Sequence, residues 1–130
     1  MSLLYEDLTY QLNGAAIDVN KALGCGFLEK VYQEAFAIAL AERGIKFQRE
    51  KKIPISFHGH ELSTPYVCDF WIDDKIIVEL KAVQVVEPIH QAQLLNYLKA
   101  TGLKLGLLYN FNDEMVRPIR LLNIQDEYQR

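Results

Sequence analysis

Two acids and a lysine stand inside two short apolar stretches of the chain. Asp69 lies within VCDFWID, and Glu79 and Lys81 lie within IIVELKA. A charged side chain in the core of a strand is costly unless it is paired or binds an ion. Carboxylate oxygens are hard ligands that suit a divalent cation with open positions for water and phosphate. The pattern therefore indicates either an ion pair on a solvated sheet face or a metal site for phosphate chemistry.

The two stretches are predicted to form a β-hairpin, because both are rich in β-branched and aromatic residues. A three-residue loop would pair Trp71 with Ile77 and set Asp69 opposite Glu79, on the face that Lys81 shares. A two-residue loop would put the two acids on opposite faces. With the three-residue loop, the other face of the hairpin is predicted to hold the apolar set Cys68, Phe70, Ile72, Ile76, Val78 and Leu80.

Composition predicts one soluble globular domain over residues 1–130, with 50% hydrophobic and 24% charged residues. No apolar run is long enough to span a bilayer, and the acidic N-terminus differs from a signal peptide, so we expect a cytoplasmic protein. Cys25 and Cys68 have no CxxC spacing and are predicted to be reduced and packed. The net charge of −3 argues against non-specific coating of nucleic acid.

Periodicity predicts helices and strands in the order α-α-β-β-β-α-β-β. This order indicates an α/β or α+β fold, with a mixed central sheet flanked by helices. The helices are predicted at 4–23, 28–43 and 88–100, one or two strands within 45–62 around a turn at 58–60, and further strands at 65–72, 75–81, 105–111 and 115–122.

The spacing from Asp69 to Glu79-Leu80-Lys81 resembles the D…(D/E)xK signature of the PD-(D/E)XK nuclease superfamily. The order of elements is similar to the restriction-endonuclease-like core of that superfamily. Cys68 stands where the superfamily pattern has proline, at a position that varies loosely. The spacing alone is a weak signal, so the resemblance depends on further motifs in the right order.

Two further motifs support the resemblance. Gln93 and Tyr97 resemble the QxxxY motif of the RecB-like branch of the superfamily. Gly26, Glu29 and Tyr32 resemble the GxxExxY signature that names a small prokaryotic family within it. Together the motifs and elements cover residues 10 to about 122, but they imply no particular substrate.

The resemblance implies metal-assisted hydrolysis of phosphodiester bonds. Asp69, Glu79 and the carbonyl of Leu80 would hold Mg²⁺ or Mn²⁺, and Lys81 would orient the attacking water or stabilise charge on the phosphate. Glu29 would complete the metal shell or hold a second ion. The implied partner is nucleic acid, DNA rather than RNA, with no membrane, and a homodimer is compatible with it.

Several of these residues have simpler explanations. Glu29 could favour the first turn of its helix through the helix dipole. Tyr32 shares its face and could hold Glu29 or fill the core. Gln93 and Tyr97 could contact the substrate backbone or support the lysine, and core filling explains Tyr97 equally well. His90, one turn before Gln93, could border the cleft.

Other polar groups are better explained without a site. His58 and His60 flank a glycine in a predicted turn, and Arg49, Lys51 and Lys52 are typical of a solvated strand face more than of a phosphate track. Two other functional classes also stay open. The domain could be a binding module that kept the fold and lost turnover, or a structural protein whose acid cluster is incidental.

Overall fold

The computed structural model describes residues 3–124, in which three helices and seven strands are found. In chain order they are α1 (Glu6–Leu23), α2 (Glu29–Glu42), β1 (Phe47–Ile53), β2 (Ser56–Phe57), β3 (His60–Glu61), β4 (Tyr66–Ile72), β5 (Ile76–Lys81), α3 (Pro88–Thr101), β6 (Leu105–Asn110) and β7 (Pro118–Leu122). Among residues 3–124, no helix is both long and apolar enough to cross a membrane.

The main sheet has five strands in the order β1-β4-β5-β6-β7. β5 and β6 are parallel, joined through α3, whereas the other neighbouring strands are antiparallel. The predicted mixed sheet flanked by helices is therefore confirmed. The segment between β1 and β4 folds into a separate two-stranded ribbon, β2-β3, whose turn contains His58 and Gly59 with positive φ.

Each face of the sheet packs against helices. On one face, α1 and α2 form a core cluster with the sheet around Phe36, Phe70, Val78 and Tyr109. On the other face, Leu94 and Leu98 of α3 form a second cluster that includes Ile77 and Leu108. The sheet is thus the middle layer of three, and any cleft between α2 and α3 must lie at an end of the sheet.

The β4–β5 hairpin has the predicted register. Trp71 pairs with Ile77 across the loop 73–75, where Asp73 and Asp74 have φ values of 49° and 55°. Aspartate tolerates this left-handed region better than most residues do. Continuing the register by one pair beyond Phe70 and Val78 sets Asp69 opposite Glu79, and the apolar residues Phe70, Ile72, Val78 and Leu80 share one core cluster as predicted.

Cys68 does not follow the predicted alternation. It packs in the cluster around α3, whereas Phe70 packs in the cluster around α1 and α2. The ladder with the neighbouring strand is irregular at the adjacent position, where Glu50 has a φ of 53° and the pair Glu50–Asp69 is missing from an otherwise continuous ladder. The prediction that both cysteines are packed is also wrong, because Cys68 is buried but Cys25 is exposed, although both are free thiols.

Gly106 lets α3 approach the sheet closely. A Cβ built on Gly106 would lie 2.9 Å from Cγ of Leu94, closer than real Cβ atoms come to their neighbours. Leu94 lies between Gln93 and Tyr97 in sequence, on the same helix. The glycine therefore allows the part of α3 that carries these two residues to pack closely against β6.

Candidate active site

A cavity of about 220 Å³ opens where the end of β5 meets the beginning of α2 and the face of α3. Its walls contain seven of the residues that the sequence singles out, together with several neighbours. The lining consists of Glu29, Asp69, Glu79, Lys81, His90, Gln93 and Tyr97, with Tyr66, Val67, Leu94 and Leu108. Residues from five separate elements therefore meet at one place.

Asp69 is held by two hydrogen bonds. Its Oδ2 accepts one of 2.8 Å from the backbone N–H of Leu80, and its Oδ1 accepts one of 3.0 Å from the amide of Gln33. Burial raises the pKa of Asp69, these two hydrogen bonds oppose the rise, and the negative charge of Glu29 adds to it. Both oxygens are thus engaged and the carboxylate has a fixed orientation.

Glu79 has a different environment. Its Oε1 is buried and has no hydrogen-bond partner within the described part of the chain. Burial raises the pKa of Glu79 to about 8, although the charge of Lys81 and the backbone N–H of Asp69 oppose the rise, and the charge of Glu29 adds to it. A buried acceptor without a partner is costly, and such groups commonly mark a site for an ion or water.

Lys81 faces the same cavity but forms no salt bridge with any other residue in the range 3–124. The ion pairs found in residues 3–124 all lie elsewhere, so a closed pair between Lys81 and Asp69 or Glu79 is not present. The backbone around the lysine is anchored, because the N–H of Phe111 donates to the carbonyl of Lys81 at 2.8 Å. The interpretation of these charges as a simple ion pair on a sheet face therefore loses its support.

The loop before α2 explains the motif that contains Glu29. Gly26 has a φ of 107°, which glycine adopts without strain. The hydroxyl of Tyr32 donates to the carbonyl of Gly24 at 2.6 Å and accepts from the N–H of Phe27 at 3.3 Å. Tyr32 is fully buried, so it holds the loop that leads to Glu29 and cannot itself contact a substrate.

Gln93 and Tyr97 project from one face of α3 into the cavity. Gln93 is exposed, which fits a side chain available to a ligand. The ring of Tyr97 stacks on that of Tyr66, and burial followed by the charge of Glu79 raises the pKa of Tyr97. Tyr97 is therefore both a packing residue and a wall of the cavity, so the two explanations offered by the sequence apply together.

His90 also borders the cavity, at the beginning of α3. Its Nδ1 accepts a hydrogen bond of 3.0 Å from the backbone N–H of Glu87, as part of a capping box. A neutral imidazole held in this way carries its proton on Nε2. The sequence placed His90 near the cleft only through its spacing from Gln93.

Gln33 and Arg49 are the polar residues that the sequence analysis did not connect with the site. The amide of Gln33 donates to Asp69 and its oxygen accepts from Nε of Arg49 at 3.0 Å. Gln33 lies one helical turn after Glu29 and is only 6% exposed. A buried glutamine four positions after a candidate ligand was the available signal.

The donor atoms in the cavity fit a hard divalent cation. Asp69 and Glu79 supply carboxylate oxygens, the ligands that Mg²⁺ takes in proteins, and the unpartnered Oε1 of Glu79 is an acceptor that a cation would satisfy. Within residues 3–124, no three His, Cys, Asp or Glu side chains are grouped so that they could hold a metal ion. Glu29 thus reaches the rim of the cavity without forming a cluster of three acids.

A larger cavity, of about 510 Å³, lies elsewhere on the molecule. It is lined by Leu4, Lys99, Gly102, Lys104, Asn123 and Ile124, a set without a carboxylate. Its residues offer no pair of groups suited to bind a metal or transfer a proton. The smaller cavity is therefore the candidate active site.

Comparison with protein-family models gives a match to the PD-(D/E)XK nuclease superfamily over residues 6–122. The match runs from the first residue of α1 to the last residue of β7, so it includes every side chain of the cavity. Neither the curated proteins nor the solved structures gave a match.

Proposed function

The chain belongs to the PD-(D/E)XK nuclease superfamily, and from this premise we propose that it is a metal-dependent nuclease that hydrolyses phosphodiester bonds. Its substrate is nucleic acid, with DNA preferred to RNA, and its cofactor is Mg²⁺ or Mn²⁺. This proposal goes beyond the family match, which supports a nuclease-type function without giving a substrate or an ion.

The proposal rests mainly on the burial and hydrogen bonding of the Glu79 side chain. Its carboxyl group is buried, its Oε1 has no partner in residues 3–124, and its pKa is raised to about 8. Asp69 and Lys81 line the same cavity. A structural acid would be expected to have a hydrogen-bond partner, whereas a ligand for a cation is expected to lack one until the cation binds.

Each residue of the cavity has a role in the proposed reaction. Asp69, Glu79 and the carbonyl of Leu80 would hold the divalent ion, and Glu29 would support it from the rim. The ion, when bound, lowers the pKa of a water molecule and offsets negative charge on the phosphate. Lys81 lines the same cavity as the two acids, where it would orient the attacking water or stabilise the charge that develops on the phosphate.

The α3 side of the cavity is proposed to bind the substrate. Gln93 offers amide donors to the phosphate backbone, and Tyr97 forms the wall beside Glu79. These two residues support a finer assignment to the RecB-like branch. The loop that Tyr32 holds supports the assignment to the GxxExxY family, because it gives both its glycine and its tyrosine a physical role.

Two broader features belong to the same proposal. The family match over residues 6–122 supports treating the chain as one nuclease-like domain. The free thiols of Cys25 and Cys68 support a reducing compartment such as the cytoplasm.

A cleavage assay tests the proposed function. Purified protein is incubated with single-stranded, duplex and branched DNA and with RNA, in Mg²⁺ or Mn²⁺ and in the presence of a chelator. We expect metal-dependent cleavage of DNA that is lost in Glu79→Gln and retained in Glu61→Gln, an exposed acid on the β2-β3 ribbon.

The assay also separates the proposal from a binding module. If the wild type binds a divalent ion but cleaves none of these substrates, the chain is a nuclease-fold module without turnover. Cleavage that survives in the chelator, or in Glu79→Gln, contradicts the proposed role of the acids.

A further inference from the structure

Three side chains form a polar relay that ends at Asp69. Nε of Arg49, on β1, donates to Oε1 of Gln33 at 3.0 Å, and Nε2 of Gln33, on α2, donates to Oδ1 of Asp69 at 3.0 Å. The relay therefore connects an edge strand, a helix and the strand that bears the candidate metal ligand.

Arg49 determines which way the amide of Gln33 points. A guanidinium group has only hydrogen-bond donors, so its Nε–H requires the oxygen of the amide. The NH₂ group of Gln33 must then face Asp69, which is an acceptor. Because Gln33 is only 6% exposed, water does not readily replace either partner.

The relay completes the fixation of the Asp69 carboxylate. Leu80 donates to Oδ2 and Gln33 donates to Oδ1, so both oxygens are held from different directions. Each oxygen keeps a further lone pair for a cation. Glu79, by contrast, has an Oε1 without a partner in the described residues.

We propose that Gln33, oriented by Arg49, is the positioning residue for Asp69, and that it sets the affinity of the site for its divalent ion. The inference rests on the proposed function, since it assigns Asp69 as a ligand. Gln33 does not line the main cavity but a smaller one of about 160 Å³, which shares Glu29 and Asp69 with it. Its link to the candidate metal ligands is the hydrogen bond to Asp69, so it acts through that aspartate. Partners that hold metal ligands in this way commonly change metal affinity when they are replaced.

A purely structural relay predicts a different outcome. Tying β1 to α2 and β4 would stabilise the fold, and loss of the tie would lower the melting temperature without changing affinity for the ion. A positioning role predicts weaker ion binding in protein that remains folded. The two roles are therefore separated by measuring ion binding directly.

The experiment is a calorimetric titration of the metal-free protein with Mn²⁺, repeated on four variants. Gln33→Met keeps the length of the side chain and removes both hydrogen bonds, Arg49→Ala removes the orienting donor, and the double variant combines them. Lys52→Ala is the matched control, because Lys52 is an exposed base on the same strand that does not contact Gln33.

We expect Gln33→Met to weaken Mn²⁺ binding by about 10- to 100-fold. Arg49→Ala should weaken it less, and it should have no further effect in the Gln33→Met background, because it acts through Gln33. Lys52→Ala should leave the affinity unchanged. In cleavage assays the Gln33 and Arg49 variants should lower kcat and leave KM for nucleic acid unchanged, since neither residue is assigned a contact with the substrate, whereas Lys52→Ala should change neither constant.

Three results overturn the inference. Unchanged Mn²⁺ affinity in folded Gln33→Met overturns the positioning role of Gln33 but not the proposed function. An effect of Arg49→Ala that adds to that of Gln33→Met overturns the claim that Arg49 acts through Gln33. If Gln33→Met does not fold, the exposed Arg49→Ala still decides the question by the same titration. Absence of Mn²⁺ binding in the wild type overturns the proposed function, and this inference with it.

Discussion

The backbone N–H of Leu80 donates a hydrogen bond of 2.8 Å to the side chain of Asp69, at the point where the regular pairing of β4 and β5 ends. The last backbone pair on this side of the hairpin is Phe70 with Val78. Beyond this pair, the side chain of Asp69 accepts the hydrogen bond from the N–H of Leu80, and the cavity opens between Asp69 and Glu79. Asp69 is therefore fully hydrogen-bonded, whereas Glu79 is not, and this difference leads to predictions of opposite sign.

Asp69→Asn should destabilise the metal-free protein. An asparagine has one acceptor oxygen, but both the N–H of Leu80 and the amide of Gln33 donate to this position. One donor would lose its partner, which costs about 1–3 kcal/mol of unfolding free energy. Urea denaturation of the two proteins measures the difference, and a variant as stable as the wild type would show that one of these bonds does not form.

Glu79→Gln should stabilise the metal-free protein, and more so at high pH. The pKa of Glu79 is about 8, so the wild-type side chain is neutral at pH 6 and mostly ionised at pH 9. A neutral glutamine removes both the buried charge and the cost of protonating this side chain on folding, so the gain is on the order of a few kcal/mol at pH 9 and roughly half as large at pH 6. Melting temperatures of both proteins at the two pH values test this, and an equal difference at both would contradict it.

The wild type should lose stability as pH rises through the range set by Glu79. Its pKa is raised from 4.5 in the unfolded chain to about 8 in the folded protein, so the folded state holds more protons between these values. Stability from this group therefore falls with increasing pH from about 4.5 to about 8 and then levels off. Melts in chelator across this range should show the decline, and Glu79→Gln should lack this component.

Addition of Mg²⁺ should counteract that loss. Binding of the ion requires the ionised carboxylate, so it releases a proton and strengthens as pH rises toward and beyond about 8. We expect the increase in melting temperature at millimolar Mg²⁺ to be larger at pH 9 than at pH 6. An increase that is independent of pH would indicate that the ion binds elsewhere.

The hairpin and its register were predictable from the sequence because they depend on local rules. Alternation along β4 and β5 and a three-residue loop were enough to bring Asp69 opposite Glu79. The packing of Cys68 on the α3 side of the sheet departs from this alternation, next to the position where Glu50 of the neighbouring strand has a positive φ. Alternation describes a regular ladder and fails where the ladder is interrupted.

The hydrogen bonds of the site were less accessible to sequence reasoning. Gln33 meets Asp69 across 36 positions of the chain, and Arg49 meets Gln33 across 16, so no local pattern joins them. Tyr32 was expected either to hold Glu29 or to fill the core. It does fill the core, and its hydroxyl in addition holds the loop at Gly24 and Phe27, which the sequence did not indicate. Residue types indicated which side chains could matter, but only the folded chain shows their partners.

Lys81→Ala should abolish cleavage and leave ion binding intact. The lysine stabilises charge that develops in the transition state, and loss of such a donor lowers kcat by roughly 100-fold or more. The charge of Lys81 also lowers the pKa values of Asp69 and Glu79. The wild type and Lys81→Ala should therefore be compared at pH 9. Lys75→Ala, at an exposed loop position on the same hairpin, is the control that should keep full activity.

Cleavage by Lys81→Ala at the wild-type rate would contradict this role. A loss of both Mn²⁺ binding and cleavage would instead show that Lys81 is needed to form the ion-binding site and does not act only in the transition state. Parallel calorimetric titrations with Mn²⁺ distinguish these results, because they report on the site without requiring turnover.

The central claim is that Asp69 and Glu79 together form a site for a divalent ion. Anomalous diffraction from crystals soaked in Mn²⁺ at pH 9 tests this claim most directly, because it locates the ion independently of activity. We expect a peak bridging the two carboxylates, at distances of about 2.0–2.6 Å from their oxygens, as is usual for such ions. Crystals with no peak between Asp69 and Glu79, or with the only peak at another place, would contradict the account.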